Sequence, residues 1–142
     1  MKKVLTLIIS TFLGLTMLGC QSPEKPAEET KVSSITGTIS YRERIALPKH
    51  ALVTVTLQDV SLADAPAQVI AKHRFETSGI QVPVEFDLAF DPRKIQARHT
   101  YSVSARIEVD GRLRFITDTT YPVITEPHQT SHVDMMLIGV RN

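Results

Sequence analysis

From Ser34 onward, apolar and polar residues alternate one by one rather than at helical spacing. Side chains with a period of two lie on opposite faces of an extended strand. Val53, Val55 and Leu57 share one face, and Thr54, Thr56 and Gln58 share the other. Val84, Phe86, Leu88 and Phe90 oppose Glu85 and Asp87, and Tyr101, Val103, Ala105, Ile107 and Val109 oppose Ser102, Ser104, Arg106 and Glu108. The pattern predicts seven strands: Ser34–Tyr41, Ala51–Val60, Gln68–Phe75, Val82–Phe90, Thr100–Val109, Arg112–Thr119 and His132–Val140. Turn formers separate them: Pro48, Asp64-Ala65-Pro66, Ser78-Gly79, Asp91-Pro92, Asp110-Gly111, Pro122 and Pro127. Short strands at regular spacing, each with one apolar face, predict an all-β, two-sheet antiparallel β-sandwich, immunoglobulin-like in outline, over residues 34–142.

The Asp110-Gly111 turn sets a register. A two-residue turn would place Ile107 opposite Arg114 and mix core with surface. A three-residue loop, Val109-Asp110-Gly111, places Ile107 opposite Leu113 and Ala105 opposite Phe115. That register predicts a type I turn with Gly111 in the left-handed region, forming a bulge. The irregular Val60–Ala67 stretch reads as a loop crossing one end of the fold.

The N-terminus breaks from this pattern. Lys2 and Lys3 precede an apolar run from Val4 to Leu18 of about 15 residues, shorter than the ~20 that a spanning helix needs. The run reads as a secretory signal over residues 1–19. Met17-Leu18-Gly19-Cys20 resembles the lipobox of bacterial lipoproteins, which implies diacylglycerol on Cys20 and cleavage between Gly19 and Cys20. Cys20 is the single cysteine, so it has no partner within its chain. More than one acyl chain anchors a protein stably, so the expected partner of Cys20 is the membrane itself. In Gram-negative lipoproteins Asp after the cysteine tends to retain the protein at the inner membrane; Gln21 stands there instead, so the resemblance implies the outer membrane. Residues 21–33 hold two prolines, five charges and little apolar content, and read as a solvated tether reaching up to ~40 Å.

Charge and chemistry narrow the function. Removing Lys2 and Lys3 from the 16 basic residues leaves 14 against 15 acidic, with no basic block, so nothing suits a nucleic-acid backbone. Of five histidines, His128 and His132 are four apart, but Pro127 and the extended pattern put them ~13 Å apart, too far to share a metal. The histidines read as exposed loop residues, and no metal or cofactor is expected. No G-x-S-x-G elbow, phosphate loop or dinucleotide fingerprint occurs, and Asp91 reads as the turn residue before Pro92. The chain is expected not to be an enzyme.

Three polar residues stand out as candidates for partner contact: Arg106 and Arg114 on adjacent predicted strands, and Asp118 among Thr117, Thr119 and Thr120. The arginines read either as solubility and edge protection or as a face for an anionic glycan or protein. Asp118 and its threonines read either as satisfying backbone groups where the strand leaves the sheet or as a patch for a partner.

Ile45-Ala46-Leu47-Pro48, Ala51 through Leu57, Asp59-Val60-Ser61-Leu62-Ala63-Asp64-Ala65-Pro66, Gly111 through Thr119, and Pro122-Val123 together resemble the YbaY-like family of envelope lipoproteins. That family is grouped with the YscW-type pilotins of type III secretion. The resemblance implies a β-sandwich on a lipid anchor, with no catalytic residues. Pilotins hold a secretin subunit and assist its assembly at the outer membrane, so it also implies a periplasmic or outer-membrane protein partner. The rival expectation is a module for envelope polysaccharide. The absence of Trp, with only Tyr41, Tyr101 and Tyr121 as phenolic rings, weakens it.

Overall fold

The structure is a computed structural model that describes Gly19 and residues 31–141; the rest of the expected signal segment, Cys20 and most of the expected tether lie outside the described residues. Eight strands run in chain order: β1 Ser33–Tyr41, β2 Leu52–Asp59, β3 Gln68–Glu76, β4 Val84–Phe90, β5 Tyr101–Val109, β6 Arg112–Ile116, β7 Tyr121–Val123 and β8 His132–Gly139. All seven expected strands are present with shifted ends. The eighth, β7, holds Pro122 and is too short to display alternation. Between β2 and β3 the Val60–Ala67 stretch is an exposed loop without strand structure.

Two separate antiparallel sheets are not what these strands build. They form one sheet in the order β3-β2-β5-β6-β8-β1-β4, with β7 beside β5. The join is short: Phe115 pairs with Gly139 and Ile116 with Ile138, linking β6 to β8. The end strands β3 and β4 touch without pairing, so the sheet is nearly closed and barrel-like. Nor is it wholly antiparallel, because β1 runs parallel to β8, with Thr36 opposite His132 and Tyr41 opposite Leu137. A strand with one apolar face is satisfied equally by a facing sheet or by a sheet curled on itself, which is why alternation alone does not separate the two.

The alternating positions do define the core. Val53, Val55, Leu57, Tyr101 and Ile107 are fully buried, and Ile35, Ile39, Val84, Leu88, Val103, Met135 and Leu137 are buried beside them. Each such side chain stabilises the fold by roughly 1.5–3 kcal/mol. The Tyr41 and Phe115 rings stack at 3.9 Å with planes 7° apart, packing β1 against β6 across the interior.

The β5–β6 hairpin differs from the expectation in its turn and agrees in its purpose. Val109 pairs with Arg112, so the loop is the two residues Asp110 and Gly111. Both have positive φ, 52° and 75°, which makes a type I′ turn, not a type I turn with a following bulge. The bulge sits further along, where Glu108 pairs with Leu113 but Ile107 pairs with Phe115. Arg114 is the extra residue. The slip puts Ile107 opposite Phe115, so the inner face stays apolar.

Candidate partner-binding site

The residues singled out in the sequence occupy separate positions. Arg106 points outward from β5, opposite Ile116, and its Nη2 lies 2.7 Å from Glu108 Oε1. Arg114 is exposed at the bulge, and its carbonyl accepts the Val140 N–H at 2.8 Å. Asp118 is exposed and accepts the Thr119 hydroxyl at 3.1 Å. No hydrogen bond or ion pair joins any two of the three. Thr117 is the residue that satisfies the backbone where β6 ends: its N–H donates to the Ala105 carbonyl at 3.0 Å and its hydroxyl accepts the Ala105 N–H at 3.3 Å. Beyond it β7 takes over beside β5, pairing Tyr121 with Val103 and Val123 with Tyr101.

The histidines do not gather, and the described residues hold no cluster of three or more His, Cys, Asp or Glu suited to a metal. His73 and His132 are exposed but lie in β3 and β8 rather than in loops, and His99 departs in its burial. His99 is half-buried, with Nδ1 2.6 Å from Asp59 Oδ2. Burial alone would raise the Asp59 carboxyl. Hydrogen bonds from the Ser61 hydroxyl, from His99 and from the Ser61 N–H outweigh it and hold the carboxyl below the ordinary value.

A groove forms at the end of the barrel where β1 begins. Two adjoining cavities of about 410 and 390 Å³ share Ser33, Phe90, Ile124 and Gln129. One wall is the segment after β4. Asp91 caps a single 3₁₀ turn, Pro92–Lys94, through the Arg93 N–H at 2.9 Å, and Ile95 follows with its apolar side chain against the core. The hydroxyl of buried Tyr101 fixes that segment by accepting the Gln96 N–H at 2.8 Å. The other wall is the β7–β8 loop, tied across by the Thr125 hydroxyl, which donates to the His99 carbonyl at 2.7 Å. Asp59, His99 and Thr125 therefore hold the two walls in one relationship.

Ile124 lines both cavities at φ 71°. A β-branched residue in the left-handed region is strained by roughly 1–3 kcal/mol. Its N–H donates to the Thr130 carbonyl at 2.9 Å, which holds the residue there. Phe90, Pro92, Ile95, Ala97 and Ile124 give apolar walls, and Ser33, Thr125 and Gln129 give a polar rim. Apolar walls under a polar rim are the kind of lining that binding sites commonly have. Sequence reasoning missed Ile95 and Ile124. Ile95 is a lone large apolar residue in a polar loop, whereas Ile124 merely extends the apolar end of β7, so neither carries a distinct signal.

Known proteins point in one direction. A model of the family described as "Type III secretion system lipoprotein chaperone (YscW)" matches residues 30–137. The lipoprotein YbaY of Escherichia coli (strain K12) is 41% identical over 126 residues, covering 82% of this chain and 65% of that protein, so this chain spans under two thirds of that relative's length. A solved structure of an alternative pilotin from the type II secretion system of Vibrio cholerae is 71% identical, with a TM-score of 0.77, over 79% of this chain and 100% of the pilotin.

Proposed function

Because the chain belongs to the YscW family of secretion-system lipoprotein chaperones, we propose that it is a lipid-anchored pilotin for an outer-membrane secretin subunit. The observation that carries this reading is the 71% identity across the whole of a solved type II secretion pilotin. In this reading the signal is cut between Gly19 and Cys20, and acylated Cys20 holds the domain at the outer membrane, facing the periplasm. No helix among the described residues is long and apolar enough to cross a membrane. In this reading the acyl chains attach the domain, at ~0.8 kcal/mol per buried methylene.

The groove beside Ile124 is the surface we assign to the partner segment. Ser33, the first residue of β1, lines it, so the groove lies where the tether joins the domain. A client held there would sit beside the junction of tether and domain. Arg106, Arg114 and Asp118 lie elsewhere on the domain and would serve as secondary contacts at most.

The test uses cells lacking this chain, in which heat-resistant secretin multimers in the outer membrane are quantified. Re-expression of the native chain should restore them. Cys20→Ala should leave the domain folded but unanchored and the multimers low. Ile95→Asp should leave the protein anchored but reduce the secretin crosslinked to it by about tenfold or more. Full multimer assembly with Cys20→Ala, or no secretin crosslinked to the native chain, would overturn the proposal.

A further inference from the structure

The outer face of the β3-β2-β5 region carries a second site with different chemistry. By alternation, Thr54 and Thr56 face away from the core, yet they are only 6% and 8% exposed. Both line a cleft of about 290 Å³, together with Gln58, Lys72, Ser104 and Arg106. Neither threonine hydroxyl has a hydrogen-bond partner among the described residues. No fully enclosed side-chain polar atom there is left without one, so the two hydroxyls open into the cleft. A solvent-facing threonine on a central strand ordinarily donates to water. These two are walled in by longer neighbours and aimed at a shared space.

The register shows what surrounds them. Arg74, Thr54 and Arg106 form one rung across β3, β2 and β5, and Lys72, Thr56 and Ser104 form the next. Neighbouring strands lie about 4.8 Å apart and same-face residues along a strand about 6.7 Å apart. Three hydroxyl and three cationic residues thus spring from a backbone patch about 10 Å by 7 Å, and all but Arg74 line the cleft. Arg106 gives one guanidinium nitrogen to Glu108 and keeps further N–H donors. Lys72 and Arg74 form no ion pair among the described residues. Val69 and Ile116 close the sides.

We infer that this cleft binds a phosphate group. The hydroxyls of Thr54, Thr56 and Ser104 supply donors from the floor, and Lys72 and Arg106 supply charge from opposite walls. Donors converging from below and from two sides suit the tetrahedral oxygens of a phosphate, whereas a planar carboxylate would use one guanidinium fork alone. The phosphate could be carried by a soluble metabolite or by a phospholipid headgroup, and both present the same oxygens. The site lies on the outer face of the sheet, apart from the Ile124 groove, and does not depend on a secretin partner.

The experiment is a titration of the mature lipoprotein in non-ionic detergent micelles. Binding is followed by backbone amide shifts and by calorimetry, with inorganic phosphate, glycerophosphoglycerol (the headgroup without its acyl chains) and acetate as probes. Saturable shifts are expected at Thr54, Thr56 and Ser104 with at least one phosphate probe, at least tenfold tighter than with acetate. Thr56→Val, which keeps shape and removes the hydroxyl, should weaken binding about tenfold with the thermal midpoint unchanged. Lys72→Gln should do the same. Preference for inorganic phosphate assigns a soluble phosphate, and preference for glycerophosphoglycerol assigns a lipid headgroup. Equal binding of acetate, shifts located elsewhere, or full affinity in Thr56→Val and Lys72→Gln would overturn the inference.

Discussion

Gly37 of β1 lies so close to Val133 of β8 that a Cβ on the glycine would stand 1.6 Å from the Val133 carbonyl oxygen and 3.1 Å from the Phe86 ring. The obstruction is backbone, and it sits where the parallel pairing of β1 and β8 places Gly37 opposite Val133. Gly37→Ala should therefore destabilise the domain by about 3 kcal/mol or more, at the severe end of overpacking. Urea unfolding followed by circular dichroism measures this. A loss under about 1 kcal/mol would mean that the two strands are not packed as described.

The same substitution at Gly111 should behave differently. Gly111 has φ 75°, and a Cβ there meets nothing within 4 Å. Only backbone strain remains, about 1–2 kcal/mol for an L-residue in the left-handed region. Gly111→Ala and Gly37→Ala, compared in one denaturant series, should thus separate by 1 kcal/mol or more.

Phe115 belongs to β6, the strand that joins the two halves of the sheet, and its ring stacks on Tyr41. Phe115→Ala should cost ~3–5 kcal/mol. Tyr41→Phe keeps the stack and loses only the hydroxyl bond to the Ile45 carbonyl, for ~1 kcal/mol. A double-mutant cycle of Tyr41→Ala with Phe115→Ala should show coupling of ~0.5–1.5 kcal/mol, and additive losses would count against the stack.

Acid stability should carry the mark of Asp59. Its carboxyl is held below the ordinary 3.8 in the folded state. A depressed carboxyl stabilises the fold fully above its unfolded value, and that contribution is lost as pH falls through the folded value. Asp91 and Asp134 are lowered as well, Asp91 by Arg93 and Asp134 by the Thr38 hydroxyl, so the protein should lose stability below about pH 4. Asp59→Asn should be less stable than the native chain at pH 7 and should show a shallower decline from pH 4 downward. Parallel pH profiles for the two proteins would remove Asp59 from this account.

Seven strands and the inward faces of β2, β4 and β5 were legible because burial on one side forces period-two alternation, and that signal is local. Closure was not. The pairing of Phe115 with Gly139 joins residues far apart in sequence and leaves no trace in either segment alone. The hairpin shows the boundary between the two. Apolar matching requires Ile107 to avoid Arg114, which it does, but nothing nearby says whether the extra residue belongs in the turn or in β6. The sites were less legible still. Ile95 and Ile124 form a wall only because Tyr101 and Thr125 pin their loops, and Thr54 and Thr56 are walled in by side chains on other strands. Of Arg106, Arg114 and Asp118, Arg106 lines a cleft, and nothing local to it announces the polar floor beneath.

The placement of β1 between β4 and β8 bears on how such a chain is made. The first described strand needs the last beside it, so the barrel cannot be finished while His132–Gly139 is unsynthesised or still in transit. Pairings of such long sequence separation also form slowly. A polypeptide that must be threaded through a translocon would gain from that delay: it stays loose while it is being passed through, and locks only once its tail has arrived.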